Sequence, residues 1–281
     1  MESVRIKAYA KINLTLFVTG SSRGYHDLDS IVASVGIYDE IILKKRTDKK
    51  ITVTMRGEGS EGIPEERNNA VKAAKLFVEK FGTNGADIVI NKNIPMGAGL
   101  GGSSADAAGV LNGLKKLYNI CDFESLNLIA DETGSDTRYM LTGGYARLFG
   151  RGNTVKPIES NLKLNILLLV PEENVSTAQC YSLFDKCGVV GGNSDLAEKA
   201  LICKDVKGLS AQLSNSLMPP AVSLSGEIEK CVEELKRLSP LAVNMTGSGS
   251  GVYALFENKK LCVRAKHAYK GNAHAYQLIV R

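Results

Sequence analysis

Pro95-Met96-Gly97-Ala98-Gly99-Leu100-Gly101-Gly102-Ser103-Ser104 puts four glycines into ten residues directly ahead of a helical pattern. From Ser104 to about Leu117, Ala107, Val110, Leu111 and Leu114 fall on one helical stripe. Backbone N–H groups without side chains in the way, leading into the positive end of a helix, form an anion site by physics alone. Upstream, Ala86 to Asn91 reads as a buried strand.

Several anion-binding arrangements use such glycines. Gly97, Gly99 and Gly102 satisfy GxGxxG, a weak signal shared by dinucleotide-binding folds and protein kinases. A dinucleotide fold turns its strand straight into the glycines and places an acidic residue about 20 positions on. Here Asn91-Lys92-Asn93-Ile94-Pro95 intervenes. A Walker loop needs Gly-Lys-Ser/Thr, and this loop has no Lys. A tight turn that holds nothing is the remaining alternative, although so many adjacent glycines weaken a fold unless close approach is required.

Working outward, Ile12-Asn13-Leu14-Thr15-Leu16 alternates apolar and polar, and Ile31 to Leu43 and Ile51 to Met55 are rich in β-branched residues broken by Gly, Asp and Lys. The spacing predicts a helix from Glu65 to Phe81, with Gly82 to stop it. A new series starts near Ser160: strand Leu164 to Val170, helices Leu196 to Leu201 and Glu227 to Leu238, and strands Leu241 to Met245, Val252 to Phe256 and Ala275 to Val280. The expected domains are therefore 1–160 and 161–281.

The chain has 281 residues, 44% apolar and 23% charged, which is ordinary globular composition. A formal charge of +5, spread without runs, does not call for nucleic acid; it is compatible with a small anionic ligand and equally with a weakly basic solvated surface of no functional meaning. Cys121, Cys180, Cys187, Cys203, Cys231 and Cys262 show no zinc spacing and read as reduced, mostly core thiols. No apolar run reaches membrane-spanning length, and Val4 to Ala10 leaves no room for a leader, so the expectation is a soluble, cytoplasmic protein.

At the glycine loop the chain resembles the GHMP kinases, whose phosphate loop has the form Pro-x-Gly-x-Gly-Leu-Gly/Ser-Ser-Ser-x-Ala, here Pro95 to Ala105. Ala8-Tyr9-Ala10-Lys11-Ile12-Asn13-Leu14 and Asn244-Met245-Thr246-Gly247-Ser248-Gly249-Ser250-Gly251 agree in the right order, so the resemblance spans nearly the whole chain. It implies an α/β (α+β) fold of two domains, the first like ribosomal protein S5 domain 2 and the second ferredoxin-like, with the active site in the cleft between them. Gly24-Tyr25-His26-Asp27-Leu28 and Val175-Ser176-Thr177-Ala178 with Tyr181 resemble the branch that phosphorylates the 2-hydroxyl of cytidine diphospho-methylerythritol. One segment departs: the family has Gly-x-Asp-Val-Pro-Phe-Phe, and this chain has Gly134-Ser135-Asp136-Thr137-Arg138-Tyr139-Met140.

The resemblance implies that Pro95, Met96, Gly97, Ala98, Gly99, Leu100, Gly101, Gly102, Ser103 and Ser104 hold ATP, with Lys92 nearby. It implies Asp136 and Lys11 as the catalytic pair. Taken alone each is an ordinary surface charge. Phosphoryl transfer nevertheless needs a carboxylate to orient or accept the hydroxyl proton and a cation to keep it ionised. Asn13, Tyr25, His26, Thr177, Tyr181, Gly247 and Ser248 are the implied substrate contacts. Tyr25 and Tyr181 would sandwich the base, while Asn13 and His26 bond either its edge or the methylerythritol end. Gly247 to Gly251, a second N–H-rich turn, would close over substrate phosphates, with a plain hairpin connection as the alternative. Mg²⁺ is expected with ATP, and Ser103 or Ser104 are candidates to touch it, but no cluster of carboxylates assigns its ligands, which stay open. The competing functions are a homoserine- or mevalonate-type GHMP kinase and a non-catalytic ligand sensor, the latter suggested by Thr137-Arg138.

Overall fold

The computed structural model describes residues 2–22, 24–57, 64–187 and 191–280. Strands β1 (Ser3–Asn13), β2 (Thr15–Ser22), β3 (Tyr25–Lys45) and β4 (Thr52–Arg56) open the chain. Helix α1 (Asn69–Phe81) and strand β5 (Ala86–Asn91) lead to the glycine loop, and α2 (Gly102–Tyr118), α3 (Phe123–Thr133) and α4 (Thr137–Thr142) follow it. Then come β6 (Tyr145–Gly150), β7 (Thr154–Pro157), β8 (Asn165–Val170), α5 (Thr177–Cys187), α6 (Asp195–Ile202) and α7 (Val206–Ser210). The remainder is β9 (Ser214–Asn215), α8 (Met218–Leu224), α9 (Gly226–Arg237), β10 (Ala242–Met245), β11 (Val252–Phe256), α10 (Lys259–Ala268) and β12 (His274–Ile279).

These elements form two compact units that interleave along the chain. The first comprises residues 1–10, 37–95 and 101–143; the second comprises 11–36, 96–100 and 144–281. Residue 160, the expected domain boundary, lies between β7 and β8, inside the second unit.

In the first unit the end of β3 pairs antiparallel with β5 (Ile41 opposite Ile90, Leu43 opposite Ile88), and β4 runs parallel on the other side of β5. Strand alternation puts Asp39, Ile41 and Leu43 on one buried face. Helix α2 lies on that face. A Cβ on Gly109 would strike the Ile41 side chain and one on Gly113 would strike Leu43, so glycine is what lets the helix approach this closely. Most of α2 is buried, which suits its run of small residues.

In the second unit the start of β3 lies between β2 and β6 (Phe17 opposite Asp29, Ile31 opposite Arg147), with β7 beyond β6 and short β9 parallel to β2. A separate antiparallel sheet runs in the order β10-β11-β8-β12. Leu167, Leu169, Val252, Ala254 and Phe256 of this sheet form a core with Ile228, Cys231 and Leu235 of α9 and Cys262 and Ala265 of α10. The continuous apolar run expected at Leu164 to Val170 is this fully covered inner strand.

The helix expected from Glu65 forms in two pieces, a 3₁₀ turn at Glu65–Arg67 and then α1. Asn68 separates them because its backbone is extended and its side chain accepts the amide of Ala70, capping a fresh helix start. The stop at Gly82 falls where expected. Cys180, Cys231 and Cys262 are buried free thiols, Cys121 and Cys203 are exposed, and the Cys187 side chain lies outside the described residues. Burial pushes the thiols of Cys180 and Cys262 up to about 11, which leaves them unreactive at neutral pH. Among the described residues no helix is long and apolar enough to cross a membrane.

Candidate active site

The glycine loop is held from below by the turn between β10 and β11, within the second unit. Ser250 N–H donates to the Gly97 carbonyl at 3.0 Å and Gly251 N–H to the Ala98 carbonyl at 3.3 Å. Thr246 Oγ1 donates to the Gly99 carbonyl at 3.0 Å, and Lys11 N–H to the Leu100 carbonyl at 3.0 Å. Four successive carbonyls are thereby turned into the protein. In a trans peptide the C=O and the next N–H point in opposite directions. The amides of Ala98, Gly99, Leu100 and Gly101 consequently face away from the supporting turn, as an anion cradle requires. The turn at Gly247 to Gly251, expected to close over substrate phosphates, has its Gly247, Gly249, Ser250 and Gly251 amides engaged by protein acceptors.

Asn13 is the hub of this region. Its buried side-chain oxygen accepts from Lys11 Nζ at 2.7 Å and from Gly247 N–H at 2.9 Å, and its Nδ2 donates to Ser30 Oγ at 2.9 Å. Its backbone carbonyl accepts from the buried Tyr253 hydroxyl at 2.8 Å. Asn13 thus orients the Lys11 ammonium and ties β1 to the second glycine turn. Lys11 is itself buried.

Helix α5, whose i, i+4 spacing puts Thr177, Tyr181 and Asp185 on one face, carries the other expected substrate contacts of this unit. Thr177 Oγ1 and Ser248 Oγ lie 2.8 Å apart. His26 stacks on Tyr181 with centroids 4.5 Å apart at 28°, and its Nε2 is 2.6 Å from Asp185 Oδ1. Tyr25 is 52% exposed and carries the Arg151 guanidinium 3.5 Å over its ring. One face of each ring expected to take a base therefore carries a flat, polar group.

The first unit holds Lys92, Pro95, Gly101 to Ser104 and Asp136. Helix α2 begins at Gly102 with Gly101 in its N-cap position and no side chain capping it. The N-cap residue therefore seals none of the helix's first amides with a side chain. Lys92 is buried, its Nζ 2.5 Å from Asp39 Oδ2 and 2.6 Å from Asp106 Oδ2. Burial works against the charge of Lys92, but Asp106 and Asp39 outweigh it and hold its pKa above the usual lysine value. Burial raises the pKa of Asp106 despite Lys92, and Asp39 raises it further.

Asp136 immediately precedes α4 and does not cap it. A Cβ on Gly134 would lie 3.2 Å from Ser104 Oγ, 3.2 Å from Asn69 Nδ2 and 3.0 Å from Thr137 Oγ1, so the Asp136 segment and the start of α2 are neighbours within this unit. Where the family has Val, Thr137 is fully buried and its hydroxyl has no partner. Arg138 points outward to Asp131 of α3, at 2.7 Å. A buried unsatisfied hydroxyl costs about 1–3 kcal/mol, and Val fills the same shape without it. Thr137→Val is expected to raise the Tm by a few degrees, read by thermal unfolding; an unchanged or lower Tm would show that the hydroxyl is satisfied.

Asp39, Asp106, Asn69, Thr246 and Asp185 were not singled out in the sequence. Asp106, a charge within the apolar run Ala105 to Val110, carried the clearest signal.

Comparison with known proteins agrees with these features. The model of the GHMP kinases N terminal domain matches residues 68–146 and that of the GHMP kinases C terminal domain matches 197–273. A 4-diphosphocytidyl-2-C-methyl-D-erythritol kinase from Acetivibrio thermocellus is 37% identical over 277 residues, covering 96% of this chain and 95% of the relative. The kinase of the same name from Caldicellulosiruptor saccharolyticus is 38% identical over 271 residues, covering 94% and 92%. A crystal structure of 4-(cytidine 5'-diphospho)-2C-methyl-D-erythritol kinase superposes with a TM-score of 0.83 at 28% identity, covering 99% of both chains. Homoserine kinase from Cytophaga hutchinsonii shares the fold, with a TM-score of 0.77 at 16% identity, covering 100% of this chain and 95% of that one. The chain has the two-domain GHMP kinase fold and belongs to the GHMP kinases, in the family of the 4-diphosphocytidyl-2-C-methyl-D-erythritol kinases.

Proposed function

We propose that this chain transfers the γ-phosphate of ATP to the 2-hydroxyl of 4-diphosphocytidyl-2-C-methyl-D-erythritol, a step of non-mevalonate isoprenoid precursor synthesis. The observation that carries this reading is the glycine loop, whose carbonyls from Gly97 to Leu100 all bond inward so that its amides face outward ahead of an uncapped helix. Outward amides and a helix N-terminus suit the β- and γ-phosphates of ATP.

In the chemical step the acceptor oxygen bonds to the γ-phosphorus, the bond from that phosphorus to the β–γ bridging oxygen breaks, and ADP leaves. Asp136 orients the acceptor hydroxyl and takes its proton. Lys11, oriented by Asn13, stabilises the charge that develops. Tyr25 and Tyr181 take the cytosine ring between them, replacing the guanidinium and imidazole that now lie on their faces. His26, Thr177 and Ser248 bond the polar edges of the substrate. Lys92 and Pro95 form the entry to the ATP loop. Ser103 and Ser104 at the start of α2 are the hydroxyls that would meet a magnesium ion accompanying the nucleotide. When bound it neutralises phosphate charge. The compartment this reading implies is the cytoplasm, where free thiols such as Cys180 stay reduced. We take the boundary of the two family domains near residue 160, a reading compatible with family-model matches at 68–146 and 197–273.

The test is coupled ADP release with the cytidylyl substrate, homoserine and mevalonate as acceptors. Turnover is expected with the first alone, and turnover with either of the others in its place would overturn the reading. In the same assay Tyr25→Ala should raise the KM for the cytidylyl substrate by roughly 5- to 150-fold, the equivalent of about 1–3 kcal/mol for a lost stacked ring. The KM for ATP should stay within about 2-fold, and equal effects on both substrates would remove Tyr25 from the base site.

A further inference from the structure

Asp39, Lys92 and Asp106 are three ionisable side chains with at most 4% exposure each, and nothing in the chemical step above uses them. They occupy informative places. Asp39 is on β3, two residues before Ile41. Asp106 is on α2, three residues before Gly109, which packs on Ile41, so the helix and strand repeats bring the two carboxylates together one step further along. Lys92 projects between them from the segment that follows β5. The second oxygen of Asp39 accepts the backbone amides of Asn93 at 2.5 Å and Ile94 at 2.8 Å. Asp39 therefore clamps three consecutive residues, 92 to 94, immediately before Pro95. Asp106 attaches the same ammonium to the helix that leaves the glycine loop. A Cβ on Gly102 would lie 3.3 Å from Ile94 Cγ2 and 3.6 Å from Lys92 Nζ, so the loop's entry and exit are packed against each other at this point.

We propose that Asp39, Lys92 and Asp106 form a buried brace across the base of the phosphate loop, positioning residues that set its span and hence its grip on the ATP phosphates. The proposal rests on the ATP-loop reading above. Lys92 acts through the loop: its ammonium is directed at two carboxylates and is almost wholly withdrawn from solvent. A buried ammonium held between two buried carboxyl groups is costly to maintain compared with apolar residues of the same shape. The return is that a triad with fixed hydrogen-bond directions holds two chain segments in a single register, which apolar contacts do less sharply. Keeping the loop pre-shaped spares ATP the ordering of a glycine-rich segment on binding.

Asp39→Asn tests this cleanly, because one amide oxygen can serve the two backbone amides or the ammonium but not all three. The expected result in the full chain is a KM for ATP raised about 10-fold or more, with the KM for the cytidylyl substrate within about 2-fold. Amide hydrogen exchange at Asn93 and Ile94 should also be faster. Asp106→Ala, which leaves Asp39 in place, should likewise raise the KM for ATP. Asp106→Asn, which keeps an acceptor for Lys92, should recover most of that loss. A folded Asp39→Asn protein with unchanged KM for ATP overturns the brace. So does a set of variants in which Tm and all kinetic constants fall together. Failure of the wild-type chain to bind ATP by calorimetry overturns the functional reading instead, and the exchange rates at Asn93 and Ile94 then decide whether the brace exists.

Discussion

Asp136→Asn should lower kcat by about 10²–10⁴-fold, the usual contribution of general-base assistance, while the KM values change little. The substitution keeps the size of the side chain and removes its charge, so the acceptor hydroxyl loses the group that orients it and takes its proton. The backbone at Asp136 enters α4 without using the carboxylate as a cap, so the loss should not unwind the helix. Lys11→Met should also act mainly on kcat, because the ammonium that Asn13 orients would stabilise charge present only as the phosphoryl group moves. If the two residues share one task, the double variant Lys11→Met/Asp136→Asn should be little slower than the slower single variant. Single-turnover kinetics of the four proteins decides the matter. Near-normal turnover by Asp136→Asn would remove the base assignment, and strictly multiplicative losses in the double variant would separate the two roles.

Gly99→Val should abolish ATP binding, read by calorimetry, and should lower thermal stability only modestly. Gly99 has φ +70°, a conformation that a β-branched residue strongly resists. A Cβ there would also run into the Thr246 carbonyl oxygen and come within 3.2 Å of the Gly249 carbonyl oxygen. The loop would have to leave the turn that supports it, and the inward carbonyl bonds that turn its amides outward would break. Because the contact is with backbone and not with a flexible side chain, relaxation offers little relief. The apolar core between the β10-β11-β8-β12 sheet and helices α9 and α10 does not include Gly99, so the fold should persist. ATP affinity within a few-fold of wild type in folded Gly99→Val would take the loop out of the nucleotide site.

Local chemistry was enough to read several parts of this protein from sequence. The glycine run ahead of an amphipathic stripe specifies an N–H-rich helix start, because glycines expose amides and a helix end leaves them unpaired. The continuous apolar run at Leu164 to Val170 marks an inner strand, and Gly82 stops α1. Asp39 went the other way. In the run from Ile31 to Leu43 it looked like a break, since a charge in a β-branched stretch normally marks the end of a strand. The structure carries β3 straight through it as a fully buried residue, because a cation 53 positions later in the chain lies against it. Asn13 read as a ligand contact, and the structure adds a task the sequence did not show, since its side chain also bonds Lys11, Gly247 and Ser30. The second glycine turn read as a phosphate clamp, and the structure gives two of its amides, Ser250 and Gly251, a further task in supporting the first loop. In each case residue type and near neighbours determine which hydrogen bonds a group is able to make. Which of those bonds it does make depends on partners brought from distant parts of the chain, and a buried charge or amide is stable only where such a partner arrives.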